Sequence, residues 1–295
     1  MTGKANWFDV LNVILLFAFT LLMLFPFYHV FALSTSSGPG LASGHANYIP
    51  VGFNLDAYRM VVEHHELLIS YYNSVRYAAL GTVIYLLATS LVAYPLSIRG
   101  FWLNTPATVL YVLTMFVTGG LIPTYLLYRT LGLLDTIWVM VLPGAVTVFG
   151  VIVFRTQFRS VSSELREAAY MDGAGDFRVL FRVVLPLSKP ILATFALFRI
   201  VAIWNDFFTP FIYMNDDRLQ PLTVLMRRLL ITLEITDVSR DRSLQDLLLE
   251  VERDPVPIQA FRAASIIVMV LPIMCIYPFI QRYFVKGIMI GSLKQ

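Results

Sequence analysis

Few side chains in this sequence could do chemistry. It has four histidines and one cysteine. Cys275 stands alone in an apolar run, so it can close no disulfide within the chain and reads as a small core-filling thiol. His64 and His65 are adjacent in a polar stretch and read as solvated side chains. No Cys/His cluster has metal-ligand spacing. No G-x-x-x-x-G-K-[ST] loop occurs, so the chain has no P-loop with which to use ATP itself. The polar residues that stand out are His29, Arg199, Asn205 and Asp206. Each lies in a long apolar stretch, where an ionisable group is costly and points to function. Arg199 and Asp206 are seven apart; on one continuous helix they would share a face, about 10 Å apart along the axis. His29 and Asp206 are the main in-span candidates for an intramembrane protease, but they form no convincing Ser–His or paired-Asp arrangement.

The elements that hold these residues follow from composition. Hydrophobic residues make up 58% of the 295 and charged residues 14%, with a mean hydropathy of +0.71. An ordinary globular protein carries about 25% charged residues. Lipid is the solvent that tolerates such a surface. A bilayer core of about 30 Å needs about 20 apolar residues in helical form. Six stretches qualify: 10–33, 75–98, 106–128, 134–155, 190–213 and 261–284. They are continuous rather than alternating, which favours helices over barrel strands. Gly119-Gly120, before Ile122-Pro123, can allow a break or close packing in the third. The first exceeds the roughly 7–15 apolar residues of a secretion signal, so it is expected to remain as a span. The expected fold is an all-α membrane protein with six transmembrane helices. The net charge of +3 is too small and dispersed for a nucleic-acid partner.

Orientation follows from Lys and Arg. With the N-terminus in the cytoplasm, the inner segments hold Lys4, Arg99, Arg155, Arg159, Arg166, Arg178, Arg182, Lys189, Arg282, Lys286 and Lys294. The outer segments hold fewer, most of them in one long loop at 214–260, where the rule is weak. Both termini are therefore expected to be cytoplasmic. Residues 1–71 read as a first span with an outer loop, 72–284 as the transmembrane core, and 285–295 as a cytoplasmic tail. In the outer loop 34–74, Asn54-Leu55-Asp56-Ala57-Tyr58 can start a short helix. The outer segment 214–260 should hold an apolar helix at 221–230 and a second at 243–252. Both segments read as structural caps or as contacts for an external partner. The sequence shows no internal repeat.

The inner segment 157–189 is the most structured of the connections. Ser163 and Glu164 can start a helix. Gly173 and Gly175 are expected to end it, since glycine accepts the left-handed conformation. Asp176 can cap a second helix through Val184, and Pro186 and Pro190 can close it and open the next span. The result is a rigid elbow under the membrane. Glu167 would offer a charge at a fixed place, and the small Ala168 and Ala169 would let a partner approach.

Glu167-Ala168-Ala169, then three residues, Gly173, then nine residues, Val183-Val184-Leu185-Pro186, resembles the EAA loop of ABC importer permeases. The family pattern has Ile where this chain has Val183. Glu164-Leu165 and Met171-Asp172-Gly173-Ala174 also fit. Trp204-Asn205-Asp206-Phe207-Phe208 and Gln281-Arg282-Tyr283-Phe284-Val285-Lys286-Gly287 resemble sugar-importer permeases. Tyr277-Pro278-Phe279 and Ile290-Gly291-Ser292-Leu293-Lys294 look like the subgroup for complex polysaccharides and oligosaccharides.

The resemblance covers about 72–294 and implies a type I ABC importer permease fold. It implies a permease subunit that imports a sugar across the bacterial cytoplasmic membrane and has no catalytic group of its own. The implied partners are a second homologous permease, two ATPase subunits that use ATP and Mg, and an extracellular or periplasmic sugar-binding protein. By the same resemblance Glu167, Ala168, Ala169, Asp172, Gly173, Leu185 and Pro186 would meet the ATPase. Arg199, Trp204, Asn205 and Asp206 are candidates for the substrate path, with Trp204 and Phe207 able to stack on a sugar ring; Arg199 could instead pair with the partner permease. A self-contained channel or secondary transporter would show paired broken helices or inverted repeats, and none is evident in the sequence.

Overall fold

The computed structural model describes residues 7–42, 49–63, 65–232 and 257–292. Every regular element among them is a helix. The chain divides into two compact units, one formed by 1–68 with 226–272, the other by 69–225 with 273–295.

In the first unit, α1 spans Trp7–Ser34. At 1.5 Å per residue its 28 residues extend about 42 Å, enough to cross a bilayer. Its apolar stretch is not buried within the protomer at all, as expected of a helix facing lipid or another subunit. Thr20, in mid-helix, satisfies its hydroxyl on the Leu16 carbonyl at 2.7 Å. The short α2 (Gly38–Ala42) and α3 (Asp56–Glu63) follow in the outer loop. They are tied down by Ser34 Oγ against Tyr58 Oη (2.7 Å) and by the Val51 amide donating to Ser36 Oγ (3.1 Å).

The second unit holds most of α4 (His65–Ser97), then α5 (Asn104–Thr114), α6 (Leu121–Thr130), α7 (Trp138–Val141) and α8 (Val148–Arg159). The expected spans 106–128 and 134–155 are each broken rather than continuous. The first breaks at 115–120, where Gly120 takes φ +77. The second breaks after α7 at Pro143-Gly144, and Thr147 restarts it by accepting the Gly150 amide at 3.1 Å. Among the described residues three helices are long and apolar enough to cross a membrane: Trp7–Ser34, His65–Ser97 and Ile258–Ile276. A fourth crossing is available if Asp176–Leu187 and Lys189–Asn205, which meet at 83°, form one bent span.

Residues 160–187 form the inner elbow, and the helices that follow it to residue 225 carry the other candidate residues. The last described helix runs Ile258–Ser292. Cys275, expected as a core-filling thiol, is exposed on it. The expected helix at 243–252 lies outside the described residues.

Two apolar clusters fix the second unit. One joins Tyr77, Val139, Val141, Ile203, Trp204 and Tyr213. The other joins Tyr94 of α4, Phe154 and Phe158 of α8, Phe195, and the elbow residues Val179, Leu180 and Val184. The elbow is thus packed into the same core as the spans. On the expected outer side, polar bonds clamp the unit. Tyr77 Oη donates to the Leu219 carbonyl (2.6 Å), Asn73 to the Arg218 carbonyl (2.8 Å), and the Leu222 amide to Ser74 Oγ (2.8 Å).

Candidate functional site: the inner elbow and an in-span arginine

The elbow begins with α9 (Ser163–Met171). Its cap is Ser162, one residue before the expected Ser163, and Ser162 Oγ accepts the Glu164 amide at 3.3 Å. The helix ends where glycine was expected to end it. Gly173 takes φ +75. Its amide donates to the Tyr170 carbonyl (2.9 Å), and the Ala174 amide to the Ala169 carbonyl (3.0 Å). This pair of bonds is the Schellman closure, which needs a left-handed residue at the position Gly173 holds. Gly175 has negative φ and is not the helix stop.

The second arm differs from the expected single helix. It runs as α10 (Asp176–Val179), a π-helical turn at Leu180–Val184, and α11 (Leu185–Leu187). Asp176 does not cap it; its carboxylate instead accepts the Tyr170 hydroxyl at 2.6 Å. Tyr170 Oη also meets Tyr94 Oη of α4 at 3.1 Å. One phenol therefore links both arms of the elbow to a span. Burial, with the Asp176 bond second, pushes its ionisation above the ordinary tyrosine range, so it stays protonated and able to donate. Arg166 donates to the Phe158 carbonyl at the end of α8, a further strap.

The expected coupling residues divide by what they touch. Ala169 and Leu185 pack against the apolar core. Glu167, Ala168, Asp172, Gly173 and Pro186 are exposed. A Cβ placed on Gly173 would meet nothing within 4 Å, so the tip of the elbow is open. Glu167 borders a cleft of about 550 Å³ that is also lined by Arg99, Arg159 and Arg166.

The in-span residues are less uniform. α12 (Lys189–Asn205) stops one residue short of Asp206, which turns extended at ψ 110. Arg199 and Asp206 therefore do not share the continuous helical face expected from their spacing. The cause is local: the Asp206 carboxylate captures the Thr209 amide at 3.0 Å and starts α13 (Phe208–Tyr213). The Asp206 carbonyl accepts from Thr223 at 3.0 Å, at the start of α14 (Leu222–Thr232). Trp204 is 4% exposed and packs edge-on against Tyr71 at 5.9 Å, inside the core. Asn205 and Phe207 are exposed.

Arg199 lies over the Tyr85 ring at 5.8 Å. Two glycines make room for this. A Cβ on Gly144 would come within 2.5 Å of three guanidinium atoms, and a Cβ on Gly150 would strike the Tyr85 hydroxyl. Tyr85, Thr147, Phe149, Phe195 and Phe198 line a cavity of about 190 Å³ around the guanidinium. The sequence pattern did not single out Tyr85 or Gly144, because aromatic and glycine residues are common in spans.

The site thus combines broken and continuous apolar helices with an inner elbow that packs into their core and is open at its tip. Residues 2–290 match the binding-protein-dependent transport system inner membrane component family, and the chain belongs to it. It is an ABC importer permease. It is 37% identical over 293 residues to Protein LplC of Bacillus subtilis (strain 168), covering 99% of this chain and 97% of that one. It is 37% identical over 291 residues to the polygalacturonan/rhamnogalacturonan transport system permease protein YtcP of the same organism, covering 99% of each. Among solved structures it is similar to a bacterial ABC transporter involved in the import of the acidic polysaccharide alginate. That match has 29% identity and a TM-score of 0.85 over 96% of this chain and 100% of that one.

Proposed function

We propose that this chain is one of two permease subunits that together pass an oligosaccharide into the bacterial cytoplasm, with ATP and Mg used by two separate ATPase subunits. The observation that carries this reading is the elbow itself. It is closed by the Gly173 turn, pinned by Tyr170 and packed into the core through Val179 and Val184, yet free at its tip. A rigid connection transmits a push to the spans instead of absorbing it. Glu167, Ala168, Asp172, Gly173 and Pro186 form the seat for the ATPase, while Ala169 and Leu185 anchor the elbow from behind.

ATP binding would draw the ATPases together, move the elbows and shift the spans toward the outward-facing state. An external sugar-binding protein would then release its cargo into the space between the two permeases. The named cargoes of the relatives, polygalacturonan, rhamnogalacturonan and alginate, support a carbohydrate substrate. Arg199 and Asn205 are proposed to face the path, with Asp206 setting the helix break beside them. Both termini are assigned to the cytoplasm.

The test is uptake of oligosaccharides into proteoliposomes holding the full complex. Uptake should require ATP, both permeases and the binding protein. Glu167→Lys should leave the complex in the membrane while separating ATP use from uptake. Normal uptake in that variant would remove the coupling role of the elbow.

A further inference from the structure

Arg199 is a cation with no ion-pair partner in contact among the described residues. Among the described residues it makes no ion pair and donates no hydrogen bond, and its Nε is buried without a partner. Asp206 acts on it only through space. Arg199 lies ten residues into α12, about 15 Å along the axis from the helix start. Guanidinium is always charged and offers five donors in a planar fork that matches a carboxylate. Here the fork is held in place by the Tyr85 face on one side and the Gly144 backbone on the other. The cavity it faces is walled by Phe149, Phe195 and Phe198, surfaces that accept the apolar face of a sugar ring.

We infer that Arg199 is a selectivity residue that receives the carboxylate of a uronic-acid unit as it passes through the permease. The cargo is then an acidic oligosaccharide rather than a neutral one. This inference rests on the sugar-permease reading above. The guanidinium would exchange its contact with the aromatic face for a hydrogen-bonded ion pair during passage, and Gly144 is needed because any side chain there would displace it.

The experiment uses the complete reconstituted complex and two probes of equal length: a galacturonic-acid trisaccharide and its methyl ester. The wild-type complex should prefer the free acid. Arg199→Gln should lower uptake of the acid by about 10- to 100-fold, the range of a charged hydrogen bond, and lower uptake of the ester far less, so that the preference for the acid is lost. Arg199→Lys should keep part of the preference, since it keeps the charge but not the fork. The second permease should co-purify with every variant. An equal fall for both probes, or loss of the second permease from Arg199→Gln, would overturn the inference in favour of a structural or subunit contact. Unchanged preference in Arg199→Gln would overturn it outright. Wild-type uptake of the ester equal to that of the acid would remove the acidic-cargo inference alone, whereas ATP-driven uptake of neither probe nor any other oligosaccharide would remove the sugar-permease reading as well.

Discussion

Replacing Gly173 separates two reasons for a glycine at the tip of the elbow. The backbone there sits at φ +75, where an L-residue costs roughly 1–2 kcal/mol and asparagine much less. A Cβ at that position meets nothing within 4 Å in the protomer, so backbone strain is the only intrachain cost of a side chain. Gly173→Asn should therefore melt close to wild type. Gly173→Val should lose about 1–2 kcal/mol or somewhat more, because a β-branched residue resists the left-handed region. If the open tip seats in an ATPase cleft, both variants should fill space the partner needs. The assay is ATP hydrolysis and sugar uptake in the same proteoliposomes, beside thermal melting of the detergent-purified complex. The expected result is a large loss of uptake per ATP in both variants, including the thermally normal Gly173→Asn. Wild-type coupling in Gly173→Asn, with Gly173→Val impaired only in step with its stability, would refute the docking role and leave glycine there for the turn alone.

Tyr170→Phe removes the 2.6 Å bond to Asp176 and the contact with Tyr94. It should cost about 1 kcal/mol at this half-exposed site and loosen coupling, read as ATP hydrolysis without matching uptake. Because the phenol's ionisation lies above the ordinary tyrosine pKa of about 10, its contribution is complete below that value and fades only as pH rises beyond it. Coupling should therefore show no tyrosine titration between about pH 6 and 9. Asp206→Ala leaves the Thr209 amide without its cap and should lower stability by about 1 kcal/mol, with reduced uptake; Asp206→Asn should recover most of the stability. Ser74→Ala strands the buried Leu222 amide and should cost about 1–3 kcal/mol, measured by melting.

The parts of this molecule that the sequence made legible are those ruled by local backbone chemistry and by bulk hydropathy. Gly173 had to be a left-handed stop, and it is. Pro190 had to sit in the first turn of a span, and α12 starts at Lys189. Gly119-Gly120 left a break or close packing open, and the structure has the break. What escaped was set by contacts between distant residues. Asp135 adopts φ 54 and accepts the Asn215 and Asp216 amides, a clamp 80 residues apart that no local pattern announces. The continuous face expected for Arg199 and Asp206 failed because a single carboxylate preferred the Thr209 amide to another helical turn. The π turn at Leu180–Val184 coincides with packing of Val179, Leu180 and Val184 into the core, and periodicity alone reveals neither. The Arg199 site depends on Gly144 and Gly150 giving way to side chains from other helices. Its residues lie on three segments that only the fold brings together.

The most direct measurement is a cross-link from the elbow tip. Glu167→Cys or Asp172→Cys, in a background of Cys275→Ser, would be joined by a short thiol cross-linker to cysteines placed along the surface of the ATPase subunit in the assembled complex. A specific cross-link at one cleft of the ATPase, changing in yield with ATP, is the expected result. An intact complex whose elbow residues cross-link to no position on the ATPase would contradict the assignment of this elbow as the point where ATP chemistry enters the permease.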